Sequence, residues 1–280
     1  MLAPRPAAID RRPDGLAVED VTFPSESGAT IAGWFHGGRP GRGVIVLVHG
    51  IRSNRKSQVH RARLLAEAGF STLLIDLRLH GESRGDGGHA FIALGHLERH
   101  DVRAAVAFAR QRRPGEPIGV VGFSLGGAAT ALAAPLDADA VVLEAVFPSI
   151  DAAVANRAAR LGPLKPLASW ALLVQLEPRT GVRVSDLRPV DTVAELGCPV
   201  MIVGGDLDKQ TTPADTRRLF AAAAEPKQLV WFDGLGHRNF AYWQPERYRA
   251  TVVAFLEEHL AGGFEQRAAG DRGRAAEQAR

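Results

Sequence analysis

The sequence predicts an α/β protein, with a mostly parallel sheet of about eight strands flanked by helices and a small helical cap. Short β-branched apolar runs alternate along the chain with helical patterns, as in sheets whose strands are joined by crossover helices. Residues 44–48 form a continuous apolar run, which is typical of a strand covered on both faces. The 280 residues are 46% hydrophobic and 23% charged, which fits a globular domain.

The predicted strands come in an order that suggests how the sheet begins. Turn residues 25–28 join the first two strands, so we expect these to form an antiparallel hairpin before the parallel part starts. The strands are predicted at residues 18–23, 31–36, 43–48, 71–76, 118–122, 140–144, 200–204 and 228–232.

Helices are predicted between these strands, and several have clear end signals. Gly69 ends the first helix, Pro114 and Gly115 break the second, and Thr212 with Pro213 marks the start of the fourth as N-cap and first helical residue. The helices are predicted at residues 58–68, 94–112, 125–134, 213–223 and 245–260.

Three segments depart from this alternation. Residues 1–15 and 262–280 are rich in Arg, Ala, Pro or Gly without apolar periodicity, so we expect flexible tails on either side of one domain over 16–261. Residues 149–190 contain several prolines around short helical pieces, and we expect a small cap over the carboxyl edge of the sheet. The Leu and Trp side chains of 161–173 would line an acyl site or pack the cap onto the sheet, and packing is expected for most.

Composition and motifs exclude several classes of protein. The charge is only +3, from 34 Lys and Arg against 31 Asp and Glu, and the Arg-rich stretch 52–63 lacks interleaved aromatic residues, so nucleic-acid binding is not expected. A single cysteine, Cys198, permits no internal disulfide. No apolar leader or run of about 20 apolar residues is present, so we expect a cytoplasmic protein without a membrane span.

No cofactor or metal is expected. His96 and His100 are four residues apart on a predicted helix, but they do not form an H-E-x-x-H motif and have no evident third ligand. Glycines 85, 87 and 88 lack both the spacing and the following helix of a phosphate loop.

The strongest functional signal is a G-x-S-x-G motif, Gly122-Phe-Ser124-Leu-Gly126. It lies between a predicted β-branched strand and an Ala-rich helix, which is where a nucleophilic serine is held on a sharp strand-to-helix turn. The helix N-terminus also places free N–H groups beside the serine, where they favour a developing oxyanion. We therefore predict that Ser124 is a nucleophile.

A serine hydroxyl needs a base, and the base needs a carboxylate that orients it. Two acids, Asp206 and Asp208, follow the strand at 200–204, and His237 lies in a Gly-rich loop after the next strand. The chain order Ser, Asp, His at the carboxyl ends of three strands is the one expected for an α/β-hydrolase. Spacing alone leaves both aspartates open as the orienting acid.

These motifs resemble those of the α/β-hydrolase superfamily over about residues 18–260, and within it the segment 144–149 looks like the esterase and serine-peptidase-like branch. In relatives the acid lies three residues after a glycine and shortly before a Thr and a Pro, a pattern that favours Asp208 over Asp206. His49-Gly50-Ile51 resembles the family's oxyanion loop, which implies that the backbone N–H groups of Ile51 and Leu125 hold the oxyanion.

A further segment, residues 76–83, looks like the family's D-x-R-G-H-G-x-S motif, with Leu79 where glycine is usual. The resemblance gives this segment a structural role, and His49 is likewise expected to support its loop rather than transfer protons.

The expected activity is hydrolysis of a small-molecule carboxylic ester or related acyl compound through an acyl-enzyme. A peptidase, amidase or thioesterase would use the same three residues, because the motifs do not encode the leaving group. A catalytically silent fold that binds a ligand is the alternative from another class. The motifs specify neither acyl length nor oligomeric state.

Overall fold

The computed structural model describes residues 2–85 and 88–261; the predicted C-terminal tail, 262–280, lies outside them. Its strands are β1 Arg5–Pro6, β2 Glu19–Pro24, β3 Thr30–His36, β4 Val44–Val48, β5 Ser71–Ile75, β6 His80–Gly81, β7 Ile118–Phe123, β8 Ala140–Glu144, β9 Val200–Gly205 and β10 Lys227–Phe232. Its α-helices are α1 Val59–Glu67, α2 Glu98–Arg112, α3 Leu125–Leu132, α4 Ile150–Ala158, α5 Lys165–Leu173, α6 Leu176–Thr180, α7 Pro189–Thr192, α8 Pro213–Ala222, α9 Phe240–Trp243, α10 Pro245–Tyr248 and α11 Ala254–Ala261.

An eight-stranded sheet forms the centre of the molecule, in the order β10-β9-β8-β7-β4-β5-β3-β2. β2 and β3 form the antiparallel hairpin predicted from the turn at 25–28, and β3 also pairs antiparallel with β5. All other neighbouring pairs of this sheet are parallel. The predicted α/β class and the strand count are therefore confirmed.

The helices bury both faces of the sheet. In β4, Val44, Val46 and Val48 pack into the hydrophobic core under α2, α3 and α8, whereas Ile45 and Leu47 pack into the core under α1 and α11. All five side chains are fully buried. This two-sided burial explains why β4 reads as a continuous apolar run rather than an alternating one.

Two predicted helices have different boundaries in the structure. α2 begins at Glu98 instead of residue 94, because Leu94 and Gly95 have positive φ angles of 55° and 109°. The Glu98 carboxylate accepts hydrogen bonds from the Ala93 and Gly95 N–H groups and so stabilises this non-helical approach. The helix predicted at 245–260 is interrupted by a π-helical turn, Arg249–Val253.

Within the N-terminal segment, where a flexible tail is predicted over 1–15, several residues contact the domain. β1 pairs in parallel with β6, and the Ile9 N–H donates to Glu82. Leu2 also packs against the hydrophobic core. Apolar side chains in a Pro- and Arg-rich stretch carry no periodicity, so the sequence pattern does not reveal these long-range contacts.

The cap differs from its prediction in where its apolar side chains lie. Leu173 packs against the core, but five other large side chains are 48–62% exposed: Leu161, Leu164, Leu167, Trp170 and Leu172. The expectation that most of them pack the cap onto the sheet is therefore wrong. Other apolar residues of the cap pack into the hydrophobic core instead, among them Ile150, Ala153 and Val154 of α4 and Leu176, Val182 and Leu187.

A buried ion pair lies at the carboxyl end of β8. Arg61 of α1 and Glu144 are 1% and 0% exposed, and the Arg61 Nε–H donates to the carboxylate at 3.0 Å. The Tyr248 hydroxyl donates to the same carboxylate at 2.6 Å. Burial by itself lowers the pKa of Arg61, but Glu144 and Tyr248 outweigh it and the pKa is raised.

Removing the cation from this pair is expected to destabilise the fold. Arg61→Met leaves the Glu144 carboxylate buried without its ion partner, so the free energy of unfolding should fall by about 3–5 kcal/mol. Urea denaturation measures this. The double variant Arg61→Met/Glu144→Gln removes the unpaired charge and should recover more than about 1 kcal/mol of the loss; an equal loss in both variants would contradict the coupling.

Candidate active site

Ser124 lies at the turn between β7 and α3, with φ 52° and ψ −112°. This backbone conformation is strained for a residue with a side chain, and it occurs where the surrounding structure enforces it. The neighbouring glycines permit the turn: a Cβ on Gly122 would lie 2.6 Å from the Gly127 Cα, and one on Gly126 would lie 2.5 Å from the Val48 carbonyl oxygen. The G-x-S-x-G spacing therefore has a steric cause in this fold.

The structure brings Ser124, His237 and Asp208 into one hydrogen-bonded row. The Nε2 of His237 lies 3.0 Å from the Ser124 Oγ, and its Nδ1 lies 2.8 Å from the Asp208 Oδ2. These residues follow β7, β10 and β9, whose carboxyl ends lie on the same edge of the sheet. Phe123 packs beside the imidazole, with ring centroids 5.1 Å apart.

The carboxylate of Asp208 is held by donors on both oxygens. The N–H groups of Gln210 and Thr211 donate to Oδ1 at 2.7 and 3.0 Å, and the Thr211 hydroxyl donates to Oδ2 at 2.7 Å. Burial by itself raises the pKa of Asp208, but His237 and Thr211 outweigh it, so the pKa is lowered and the group stays ionised at neutral pH. Asp206, the other predicted acid, is exposed, and Asp208 is the aspartate that accepts a hydrogen bond from His237.

Ile51 and Leu125, the predicted oxyanion donors, lie beside Ser124. Both line the same narrow recess as Ser124. Leu125 is the first residue of α3, a position whose N–H has no partner within the helix. Both residues therefore lie next to Ser124, and Leu125 begins the positive end of the α3 dipole.

Buried histidines fix the loop that carries Ile51. The Nε2 of His49 accepts from the Leu77 N–H at 3.1 Å, and the Nε2 of His80 accepts from the Arg52 N–H at 3.3 Å. Burial lowers the pKa of His49 to about 3, so its imidazole is neutral. These contacts fit the structural role that the resemblance implied for His49.

The segment 76–83 also stabilises the loop that carries Ile51. Asp76 is fully buried, accepts from the Arg55 N–H at 2.7 Å and forms an ion pair with the Arg55 side chain. Leu79, where relatives usually have glycine, has a φ of 60°, in the left-handed region that glycine adopts without steric cost. The departure from the family motif thus places backbone strain at Leu79.

Two cavities adjoin the hydrogen-bonded row. One, of about 260 Å³, is lined by both Ser124 and His237. The other, of about 660 Å³, is lined by Asp208 and by residues of α4 and its C-terminal end. Arg157 of α4 lines both cavities as well as the narrow recess at Ile51 and Leu125.

The sequence interpretation missed Arg157. A usable signal was present, because α4 buries Ile150, Ala153 and Val154 on one face and Arg157 follows at helical spacing on that same side. A cation at such a position is uncommon unless it has a partner or a ligand.

The other candidate groups do not join the site. His100 contacts Glu26, and His96 contacts Arg99. Cys198 is partly buried, and burial raises the pKa of its thiol to about 12. Across residues 2–85 and 88–261 there is no group of three or more potential metal ligands, and no helix there is long and apolar enough to cross a membrane.

Sequence comparison identifies a family and several relatives. The family model described as serine aminopeptidase, S33 matches residues 39–188. An uncharacterized protein of Mycobacterium tuberculosis is 31% identical over 241 residues, covering 84% of this chain and 77% of its own length. The uncharacterized protein YqkD of Bacillus subtilis is 26% identical over 244 residues, covering 84% of this chain and 78% of its own.

Solved structures share the fold at low sequence identity. The esterase Pf2001 of Pyrococcus furiosus superposes with a TM-score of 0.74 at 18% identity, covering 93% of this chain and 98% of its own. An acetyl xylan esterase from Paenibacillus gives a TM-score of 0.69 at 18% identity, covering 93% of this chain and 88% of its own.

Proposed function

The chain belongs to the serine aminopeptidase S33 family of α/β-hydrolases, and from this premise we propose that it is a serine hydrolase that cleaves carboxylic esters. The single observation that carries the proposal is the row Asp208–His237–Ser124, with hydrogen bonds of 2.8 and 3.0 Å. This is the geometry that an acyl-transfer nucleophile and its base require.

In the proposed first half-reaction, the Ser124 Oγ attacks the ester carbonyl carbon while His237 Nε2 takes the hydroxyl proton. The carbonyl oxygen becomes an oxyanion that accepts hydrogen bonds from the Ile51 and Leu125 N–H groups. The intermediate collapses as the bond to the alcohol oxygen breaks, and the imidazolium returns its proton to that oxygen. The alcohol leaves and the acyl group stays on Ser124.

In the second half-reaction, His237 removes a proton from water, whose oxygen attacks the acyl carbon. The same two N–H groups stabilise the second oxyanion. The bond to the Ser124 Oγ then breaks, this oxygen regains its proton from His237, and the carboxylic acid is released. Asp208 remains ionised throughout and stabilises the imidazolium in both halves.

An ester is favoured over the aminopeptidase substrate that gives the family its description. An aminopeptidase has to bind a protonated α-amino group, which calls for a carboxylate beside the nucleophile. Among the residues that line the two cavities, Asp208 supplies the one carboxylate, and it is engaged by His237 and Thr211. The structural neighbours described as esterases support the same choice by analogy.

Labelling with a fluorophosphonate tests the proposal without the natural substrate. An activated Ser124 should displace fluoride and form a single phosphonyl adduct, visible in the intact-protein mass and located by peptide mapping. Ser124→Ala should give no adduct. Absence of labelling on folded wild-type protein, or equal labelling of the variant, would overturn the assignment of Ser124 as nucleophile.

A further inference from the structure

Arg157 places a positive charge beside the candidate nucleophile. Arg157 lines the 260 Å³ cavity together with Ser124 and His237, and it also lines the narrow recess next to Ile51 and Leu125. No other charged side chain lines both spaces. Its position is therefore suited to contact a substrate close to the reacting carbonyl.

The guanidinium has few protein partners. Nη1 donates to the Ala153 carbonyl at 3.1 Å, and Nη2 lies 3.4 Å from the Gln210 Oε1. These contacts use two of the five N–H donors of an arginine. Within the described residues no carboxylate forms an ion pair with it, whereas the fully buried Arg55 pairs with Asp76 and Glu82 and the fully buried Arg61 pairs with Glu144.

The neighbouring cavity is also lined mainly by positively charged side chains. The 660 Å³ space is lined by Arg157, Arg160 and Lys209, and its one carboxylate, Asp208, is held by His237. The 260 Å³ cavity has no acidic lining residue. Low-dielectric walls strengthen a field of one sign, so the space around Ser124 attracts anions.

Partial burial of the Arg157 charge is energetically unfavourable. Burial lowers the pKa of its guanidinium, and the charge of Asp208 only partly offsets that effect. A half-buried cation without a carboxylate partner is unfavourable unless a ligand supplies the missing charge. An anionic group on the substrate would supply this missing negative charge. A carboxylate is well suited, because its two oxygens can accept hydrogen bonds from two N–H groups of the planar guanidinium.

We propose that Arg157 binds a carboxylate on the substrate, so that the enzyme prefers esters that carry a negative charge. The proposal rests on the ester hydrolysis proposed above and names the substrate class for that same site. Arg160 and Lys209, in the wider cavity, add long-range attraction for the same charge.

Matched ester pairs test this preference on either side of the scissile bond. On the acyl side, mono-4-nitrophenyl glutarate is compared with 4-nitrophenyl pentanoate. On the leaving-group side, 4-acetoxybenzoate is compared with 4-acetoxybenzamide. Each kcat/KM is measured for wild type, Arg157→Gln and Arg218→Gln, the last being a control that removes the same charge from an exposed position on α8. Comparing variant with wild type on each ester cancels the intrinsic reactivity of the ester.

Arg157→Gln should lower kcat/KM for one anionic ester by about 10- to 100-fold, mainly through KM, as expected for loss of a hydrogen-bonded charge. Its neutral partner should change by less than about 3-fold, and the affected pair shows which side of the ester carries the carboxylate. Arg218→Gln should leave all four values within about 2-fold. The wild-type preference should also weaken as the salt concentration rises from about 50 mM to about 500 mM.

Two other results would overturn the proposal. The first refutes only the anion site, and the second also refutes the proposed ester hydrolysis. An active Arg157→Gln whose anionic-to-neutral ratio matches wild type in both pairs would refute the anion site and leave ester hydrolysis standing. If wild type cleaves none of the four esters, the proposed ester hydrolysis falls and the anion site falls with it.

Discussion

Ser124→Ala should lower kcat for ester hydrolysis by about 10⁴- to 10⁶-fold, the loss that follows when an acyl-transfer enzyme is deprived of its nucleophile. His237 would then lack the oxygen that it activates at 3.0 Å, and no acyl-enzyme would form. The remaining rate would come from binding and from the N–H donors at Ile51 and Leu125. Steady-state kinetics on a chromogenic ester measure the effect.

The fold should tolerate this substitution. Alanine at 124 retains the strained φ of 52° and removes a single hydroxyl, so the free energy of unfolding should change by less than about 1 kcal/mol. Ser149→Ala is a matched control, because Ser149 is fully buried near the site and its Oγ has no hydrogen-bond partner within the described residues. Ser149→Ala should keep its activity within about 3-fold. A folded Ser124→Ala that retained more than about a tenth of wild-type kcat would contradict the mechanism.

The sequence predicted the sheet and the row of three residues because both depend on local patterns. A nucleophile turn needs Gly122 and Gly126 for clearance, and those glycines are readable as a motif. The acid and the base follow buried strands, and strand ends are marked by the change from apolar to Gly-rich sequence. Parallel strands then bring these loops to one edge without further information.

Features that depend on contacts distant in sequence could not be predicted in the same way. Leu94 is a local exception: it takes a left-handed conformation that no propensity favours, and the N–H groups on either side of it, those of Ala93 and Gly95, donate to Glu98. The role of Arg157 depends on α4 crossing the carboxyl edge beside Ser124, which helical spacing alone does not specify. The apolar side chains of α5 are also mispredicted. Their composition predicts burial, but Leu167, Trp170 and Leu172 are exposed in the cap.

Spacing alone leaves two candidate acids and the family resemblance favours Asp208, so Asp206 and Asp208 make a matched pair for substitution. Asp208→Asn should lower kcat by about 10³- to 10⁴-fold, whereas Asp206→Asn should keep activity within about 2-fold, because Asp206 is exposed and does not contact His237. Both substitutions remove one negative charge from the same loop. A difference between them therefore reports the contact with the imidazole rather than the net charge. Kinetics on one neutral ester and urea denaturation of both variants complete the measurement.

The size of the Asp208→Asn effect follows from the hydrogen bonds around the carboxylate. The Gln210 and Thr211 N–H groups point at Oδ1, so the carbonyl oxygen of an asparagine has to occupy that position. Its NH₂ group then takes the place of Oδ2 and donates to His237 Nδ1, which puts the imidazole proton on Nε2. A protonated Nε2 facing the Ser124 hydroxyl cannot accept its proton, so the variant should fold normally yet lose its base. Comparable losses in Asp206→Asn and Asp208→Asn, or full activity in Asp208→Asn, would show that this tautomer control does not operate.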